Sequence, residues 1–424
     1  MHTNLLAAAV PVFFVAIAAE LIADRSRRTG VYRFGAAMAD LEVGIISQVG
    51  DVFLRGVGVA IYAWVYQYRA VEFPEGSPWP WVVGLLGIDF LYYWWHRLSH
   101  IVNLLWAVHA VHHQSEDFNF AVALRQPALE ALTIIPFHLP LALLGVPPWI
   151  YAACYAIDLI YQFWIHTELP GRLGFLERVL NTPSAHRVHH GINAKYLDRN
   201  YGGILVIWDL FFGTYQREEE PAAYGVTHAL RSYNPLWANL APFRDVAAKA
   251  RETRGVANKL RIWFAHPASS ASGAKMPVAS VTRAAQTKYD PKPSRRVVIY
   301  VLLHFVLITA GGATFMRVAE RDPLSALVAP GMLLLLSALA LTAWIEARRW
   351  AFAIDAARQL ALVLLAAAYL VPQMGLLPGI AAGAGLAAVF VFVFVVVRPL
   401  DDPSRGEKRK HELRRQRPRD PTPL

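Results

Sequence analysis

The 424-residue chain has a single cysteine, Cys154. That excludes an intrachain disulfide and a cysteine-ligated iron–sulfur cluster built from this chain alone. Charge is scarce: 17% of residues are charged against 55% hydrophobic, so lipid is the natural solvent for much of the chain. No Gly-x-Gly-x-x-Gly follows a strand pattern and no P-loop occurs, which removes a soluble nucleotide-cofactor domain. Serine-based acyl transfer has no Gly-x-Ser-x-Gly to stand on. Flavin and haem motifs are missing as well, so a redox chemistry here takes its electrons from outside the chain.

What is abundant is apolar sequence. Runs near 4–23, 43–68, 80–95, 128–145, 148–166, 297–318, 324–345, 351–371 and 377–398 have the length of membrane spans. The fourth and fifth read as a hairpin broken at Gly145 and Pro147-Pro148. With the N-terminus outside, every basic cluster falls on one face, from Arg25–Arg33 to the tail beginning at Arg405. The expectation is nine crossings with the C-terminus in the cytosol. The net charge of +10 is then a topology signal and a match for anionic lipid, and nucleic acid is not an expected partner. The predicted fold class is all-α: a polytopic integral membrane helical bundle with a cytosolic-side, histidine-rich di-metal site.

Five segments follow. Residues 1–79 are anchoring helices, and 80–235 hold the chemistry. Residues 236–296 are a polar cytosolic segment in which Leu260, Trp263 and Phe264 beside Lys259 and Arg261 suggest an interfacial helix or, equally, a buried turn. Residues 297–400 are four apolar spans, and 401–424 are a basic tail.

Three histidine clusters carry the functional reading: His96 and His100; His109, His112 and His113; His186, His189 and His190. Residues three or four apart share a helix face, so each cluster aims its imidazoles one way. Eight imidazoles exceed the roughly four ligands of one tetrahedral zinc and suit a two-metal centre. Imidazole alone does not choose among iron, zinc, copper and nickel. Arg follows His96, so the first cluster is not the HExxH of zinc peptidases.

Polar stripes run through two of the apolar segments. Asp89, Tyr92, Tyr93, His96 and His100 form one; Asp158, Gln162 and His166, each four apart, form the other. The second stripe makes His166 a ninth candidate ligand. Asp89, Asp158 and Gln162 are expected to support the ligands, with the carboxylates accepting hydrogen bonds from imidazoles. After the second cluster, Ser115 reads as an N-cap with acids in the first turn. The alternative for Glu116 and Asn119 is support of the metal site or contact with a cofactor. His138 and His304 read as packing residues, and His228 is left open.

The segments HHQSEDFNFAVALRQP (112–127), YQFWIHTE (161–168) and NTPSAHRVHHGINAKYLDRNYGGILVIWDLFFGTY (181–215), with the clusters in this order, resemble the fatty acid hydroxylase and sterol desaturase superfamily of membrane di-iron enzymes. Within it the wording is closest to the alkylglycerol monooxygenases. The resemblance implies ligation of two irons by all nine histidines, with zinc a ready substitute, and O2-dependent hydroxylation of a membrane lipid. It also implies an external reductant, tetrahydrobiopterin or an electron donor protein. Ile101 stands where those enzymes place a glutamate. Sibling activities on a sterol, carotenoid or fatty acyl chain are the alternative, and a metal transporter or sensor a remote one. Arg outnumbering Lys points to a bacterial inner membrane.

Overall fold

A computed structural model of the chain describes residues 5–270, 281–375, 378 and 385. Apart from Pro378 and Gly385, the span expected near 377–398 and the tail 401–424 lie outside the described residues. Among the described residues regular structure is entirely helical, with two isolated β-bridges, Leu180–Leu205 and Gly191–Tyr224. The all-α class holds.

The N-terminal helices are α1 (Leu5–Arg27) and α2 (Phe34–Tyr66). The central group comprises α3 (Trp79–Ile101), α4 (Asn103–His113), α5 (Phe120–Ala123), α6 (Glu130–Leu143), α7 (Pro148–Trp164), α8 (Pro183–His189) and α9 (Ile207–Phe211). The polar segment forms α10 (Pro235–Glu252) and α11 (Val256–Phe264), and the C-terminal bundle is α12 (Arg295–Val318), α13 (Leu324–Ile345) and α14 (Ala351–Met374). Proline opens α3, α7, α8 and α10 in the first turn, where its missing N–H is not needed.

Among the described residues, three helices are long and apolar enough to cross a membrane: α12, α13 and the stretch Ala351–Tyr369 of α14. A fourth is α2 if its two arms, bent by 44°, count as one span. The expected nine crossings therefore need correction. With 14 and 17 residues, α6 and α7 reach roughly 21 and 26 Å at about 1.5 Å per residue, short of a hydrocarbon core of about 30 Å. The hairpin forms as expected, from two helices each shorter than that thickness. At its tip Gly145 has φ +86°, and a Cβ there would sit 2.1 Å from the Val71 carbonyl oxygen. Only glycine fits that turn.

The bent α2 is the spine between the two halves of the molecule, packing on α6 on one side and α13 on the other. On the α6 side the approach is close: a Cβ on Gly44 would fall 2.3 Å from the Leu124 carbonyl oxygen. This contact places the turn 124–130 beside the histidine-bearing helices. A helix forms there as α11, with Val256, Leu260 and Phe264 exposed at four-residue intervals and Trp263 packed against the cluster of Ala107, Val246 and Ile262.

Candidate metal centre

Helix α3 contributes His96 and His100, and α4 contributes His109, His112 and His113. His166 follows the end of α7, while α8 carries His186 and His189 with His190 as its C-cap. All nine are buried. They separate into two groups, each with ligand atoms within 4.8 Å of one another: His96, His100, His109, His113 and His189, and His112, His166, His186 and His190. One group draws five imidazoles and the other four, and α4 and α8 contribute to both.

The tautomers explain what the groups want. Nδ1 of His96 donates to the Tyr201 carbonyl (2.9 Å), His112 to Arg125 (2.9 Å), His166 to Gln162 (2.8 Å) and His189 to Arg199 (3.0 Å). A carbonyl oxygen only accepts, so each of these rings carries its proton on Nδ1 and turns a lone pair on Nε2 inward. Yet the Nε2 atoms of His112 and His166 stand 3.1 Å apart. Two lone pairs at that distance repel unless a cation lies between them. Two further rings approach the carbonyl-fixed ones through Nε2, His186 at 3.0 Å from His166 and His113 at 3.1 Å from His189, with the Nδ1 of His186 buried without a partner. A metal ion satisfies this donor set; a protein-only hydrogen-bond network does not. Burial holds the imidazoles neutral, lowering His112 to about 4 and His189 to about 3, and neutral imidazole is the ligating form.

The supporting residues differ from those expected. Asp89 accepts from the backbone N–H of Ile204 (2.7 Å) and the Trp208 indole (2.7 Å), so it fastens a loop and touches no imidazole. Asp158 accepts from Gln162 Nε2 at 2.7 Å, and its other oxygen is buried without a partner. Gln162 reaches the site through its main-chain carbonyl, not its side chain. Carbonyls take the role because loops wrap the cluster closely and the last turn of α7 leaves the Gln162 carbonyl free for His166, each bringing an oxygen to a ring edge without the cost of burying a charge.

Glu116 is turned away, accepting from the Tyr289 N–H and lying 3.8 Å from Arg33. Asn119 is the real N-cap, its side chain accepting from Ala121 N (3.0 Å) and donating to the Val31 carbonyl (2.8 Å). Ser115, the cap expected from sequence, instead bonds Asp40 at 3.0 Å. Asp40 in the first turns of α2 and Arg33 at its N-cap already supply polar partners there, so the helix starts four residues later. His138 pairs with the Tyr151 hydroxyl (3.1 Å) and His304 with Arg358 (3.2 Å), both away from the two groups. His228 is exposed beside Thr227.

Four supporting residues escaped the sequence reading. Arg125, buried and paired to Asp40 at 3.1 Å, anchors the turn whose carbonyl receives His112. Asp209 accepts from the N–H groups of Tyr201 and Gly202, both at 2.8 Å, and so positions the carbonyl that receives His96. Asp198 and Asn200 flank Arg199 with φ of 58° and 55°, left-handed values that these residue types tolerate. Their turn presents the Arg199 carbonyl to His189. The Asp-Arg-Asn triplet and a lone arginine after an apolar run were the available signals.

A cavity of about 800 Å³ opens from the histidines, within the size range of small-molecule sites. His109, His112 and His166 line one part, and side chains of α1, α2, α7 and α12 most of the rest. Phe13 and Phe163 stack in its wall at 4.2 Å.

An apolar cavity thus leads to buried, converging imidazoles, a setting in which a bound metal can meet a lipid chain. The family model for fatty acid hydroxylase matches residues 81–214, the stretch that holds every one of the nine histidines. The alkylglycerol monooxygenase of Xenopus tropicalis is 39% identical over 303 residues, covering 70% of this chain and 68% of that protein. That of Homo sapiens is 38% identical over 283 residues, or 66% and 63% of the two chains. The ornithine lipid hydroxylase OlsE of Rhizobium tropici is 32% identical over 191 residues, 43% of this chain and 55% of the relative. No solved structure matches. The chain belongs to the fatty acid hydroxylase family.

Proposed function

We propose that the chain is an alkylglycerol-type monooxygenase, hydroxylating the carbon beside the ether oxygen of a glyceryl ether lipid. One observation carries the reading: His112 and His166, fixed by carbonyls with their lone pairs facing each other, also line the lipid-sized cavity. His96, His100, His109, His113 and His189 would hold one iron and His112, His166, His186 and His190 the other. Bound there, the two irons would supply dioxygen activation.

The chain's own part is placement and exclusion. Apolar side chains of α1 and α7 keep water from the alkyl segment, and the carbonyl-locked rings keep the ligand geometry while substrate enters. Overall, one oxygen atom of O2 enters the C–H bond beside the ether oxygen. The other leaves as water, with two electrons and two protons from an external reductant, for which a tetrahydropterin or an electron donor protein is the class required. The product is a hemiacetal, whose C–O bond breaks to give an aldehyde and glycerol. The basic residues between 167 and 296 support a cytosolic location for the site, and the arginine bias an inner bacterial membrane. Glu116 takes no part, because its carboxylate is engaged with Tyr289 and Arg33.

The test is aldehyde release from an alkylglycerol by the purified, lipid-embedded protein with O2 and tetrahydropterin. Ile101 ends α3 beside His100, where a carboxylate would flank the ligands. Native turnover with tetrahydropterin should therefore be weak and rise in Ile101→Glu. Failure of both proteins to release aldehyde with any two-electron donor overturns the ether-lipid assignment.

A further inference from the structure

We propose that α12 is the wall against which the substrate's alkyl chain lies, and that Gly312 sets how long a chain the cavity takes. The inference rests on the lipid-oxygenase reading above and extends it to a region outside the matched residues 81–214. Phe305, Ile308, Gly312 and Phe315, three or four residues apart, put one face of α12 into the cavity that begins at the histidines. This helix packs mainly on α2 and α13 and not on the histidine-bearing α3, α4 or α7. It therefore lines the part of the cavity remote from the metal ligands. Phe14 of α1 and Phe305 of α12, with ring centroids 6.3 Å apart, meet across it.

Gly312 is the open position in that wall. A Cβ built there meets no atom within 4 Å, so its emptiness serves neither a tight turn nor a close helix approach. In a helix interior glycine is less favourable than alanine, and room for a ligand is a use that offsets this. A larger side chain at 312 would occupy space otherwise filled by methylene groups. Each methylene that loses its apolar seat weakens binding about fourfold, from about 0.8 kcal/mol per buried CH₂.

The experiment compares full-length wild type, Gly312→Phe and Gly312→Leu, with Val306→Phe as control. Val306 is exposed on another face of α12, outside the cavity lining. Two readouts are taken: chain lengths of lipids that co-purify, by mass spectrometry, and turnover of short- and long-chain alkylglycerols. The expected result is a shift of both toward shorter chains in Gly312→Phe, smaller in Gly312→Leu and absent in Val306→Phe. Long-chain turnover falls by roughly fourfold per excluded methylene while short-chain turnover is kept. An unchanged length profile in Gly312→Phe overturns the proposal, and so does an equal loss at every length. If the bound-lipid profile shifts but no form consumes an alkylglycerol, the wall stands and the reaction assigned above falls. If alkylglycerol turnover is normal and the profile does not shift, the reaction stands and the wall falls.

Discussion

Two regions bury polar side chains in apolar surroundings, and they do so in opposite ways. In the C-terminal bundle, Asp355 accepts from the Tyr300 hydroxyl (2.5 Å), the Trp344 indole (2.8 Å) and the Arg358 guanidinium (2.7 Å), while Arg358 also meets His304. Each donor there finds an acceptor, and the knot closes on itself across α12, α13 and α14. Around the histidines, four rings are matched on their outer edge by main-chain carbonyls. On the inner edge the carbonyl-fixed His112 and His166 present lone pair to lone pair at 3.1 Å, and further Nε2 atoms converge at 3.0–3.2 Å. Buried polarity that closes on itself is packing; buried polarity that converges on a shared gap is a demand for a cation. The contrast separates His304 from the nine clustered histidines without reference to any relative.

The largest effect that would sharpen this comparison is loss of chemistry without loss of fold. Replacing His112, His186 or His189 by alanine should abolish turnover, because each removes a converging nitrogen from a group of four or five. The protein should still insert and keep its helical circular dichroism, since apolar length and not metal sets the membrane helices. Wild-type activity in these variants would break the assignment of the inner edge.

The converse dissociation is expected in the bundle. Arg358 and Asp355 are 3% and 0% exposed. Arg358→Ala strands the Asp355 carboxylate and should cost about 3–5 kcal/mol in stability, read as a lower melting temperature in detergent. Metal content per folded chain should not change. Parallel loss of metal would mean that the two regions are not independent.

A smaller change is expected from Asp158→Asn, about 10–100-fold in metal affinity or activity, as for groups that orient ligands from outside. Asp158 holds Gln162, whose main-chain carbonyl receives His166, so the effect is indirect. If Asp158→Asn matches His166→Ala in severity, Asp158 has a direct role that this geometry does not contain.

The nine histidines were legible in sequence because three- and four-residue spacing on a helix is a statement about direction. Their partners were not legible. The carbonyls of Arg125, Tyr201, Gln162 and Arg199 belong to every sequence alike, and only the folded path of a loop decides which one meets a ring. The same reason misplaced Asp89: a carboxylate at helical spacing from His96 faces the right way, but the loop 204–208 reaches it before an imidazole does. Composition revealed the membrane character but overcounted crossings. An apolar run such as 128–145 does not show that Gly145 and Leu144 end its helix at 14 residues. The division of the histidines into five and four was likewise invisible, because α4 and α8 each serve both groups and their clusters look single in sequence.

Metal content tests the central claim most directly. The wild-type protein, purified gently from iron-replete cells, should carry two metal ions per chain by elemental analysis, and His112→Ala should lose one of them while the other group keeps its ion. One ion or none in the wild type would contradict the two-group centre.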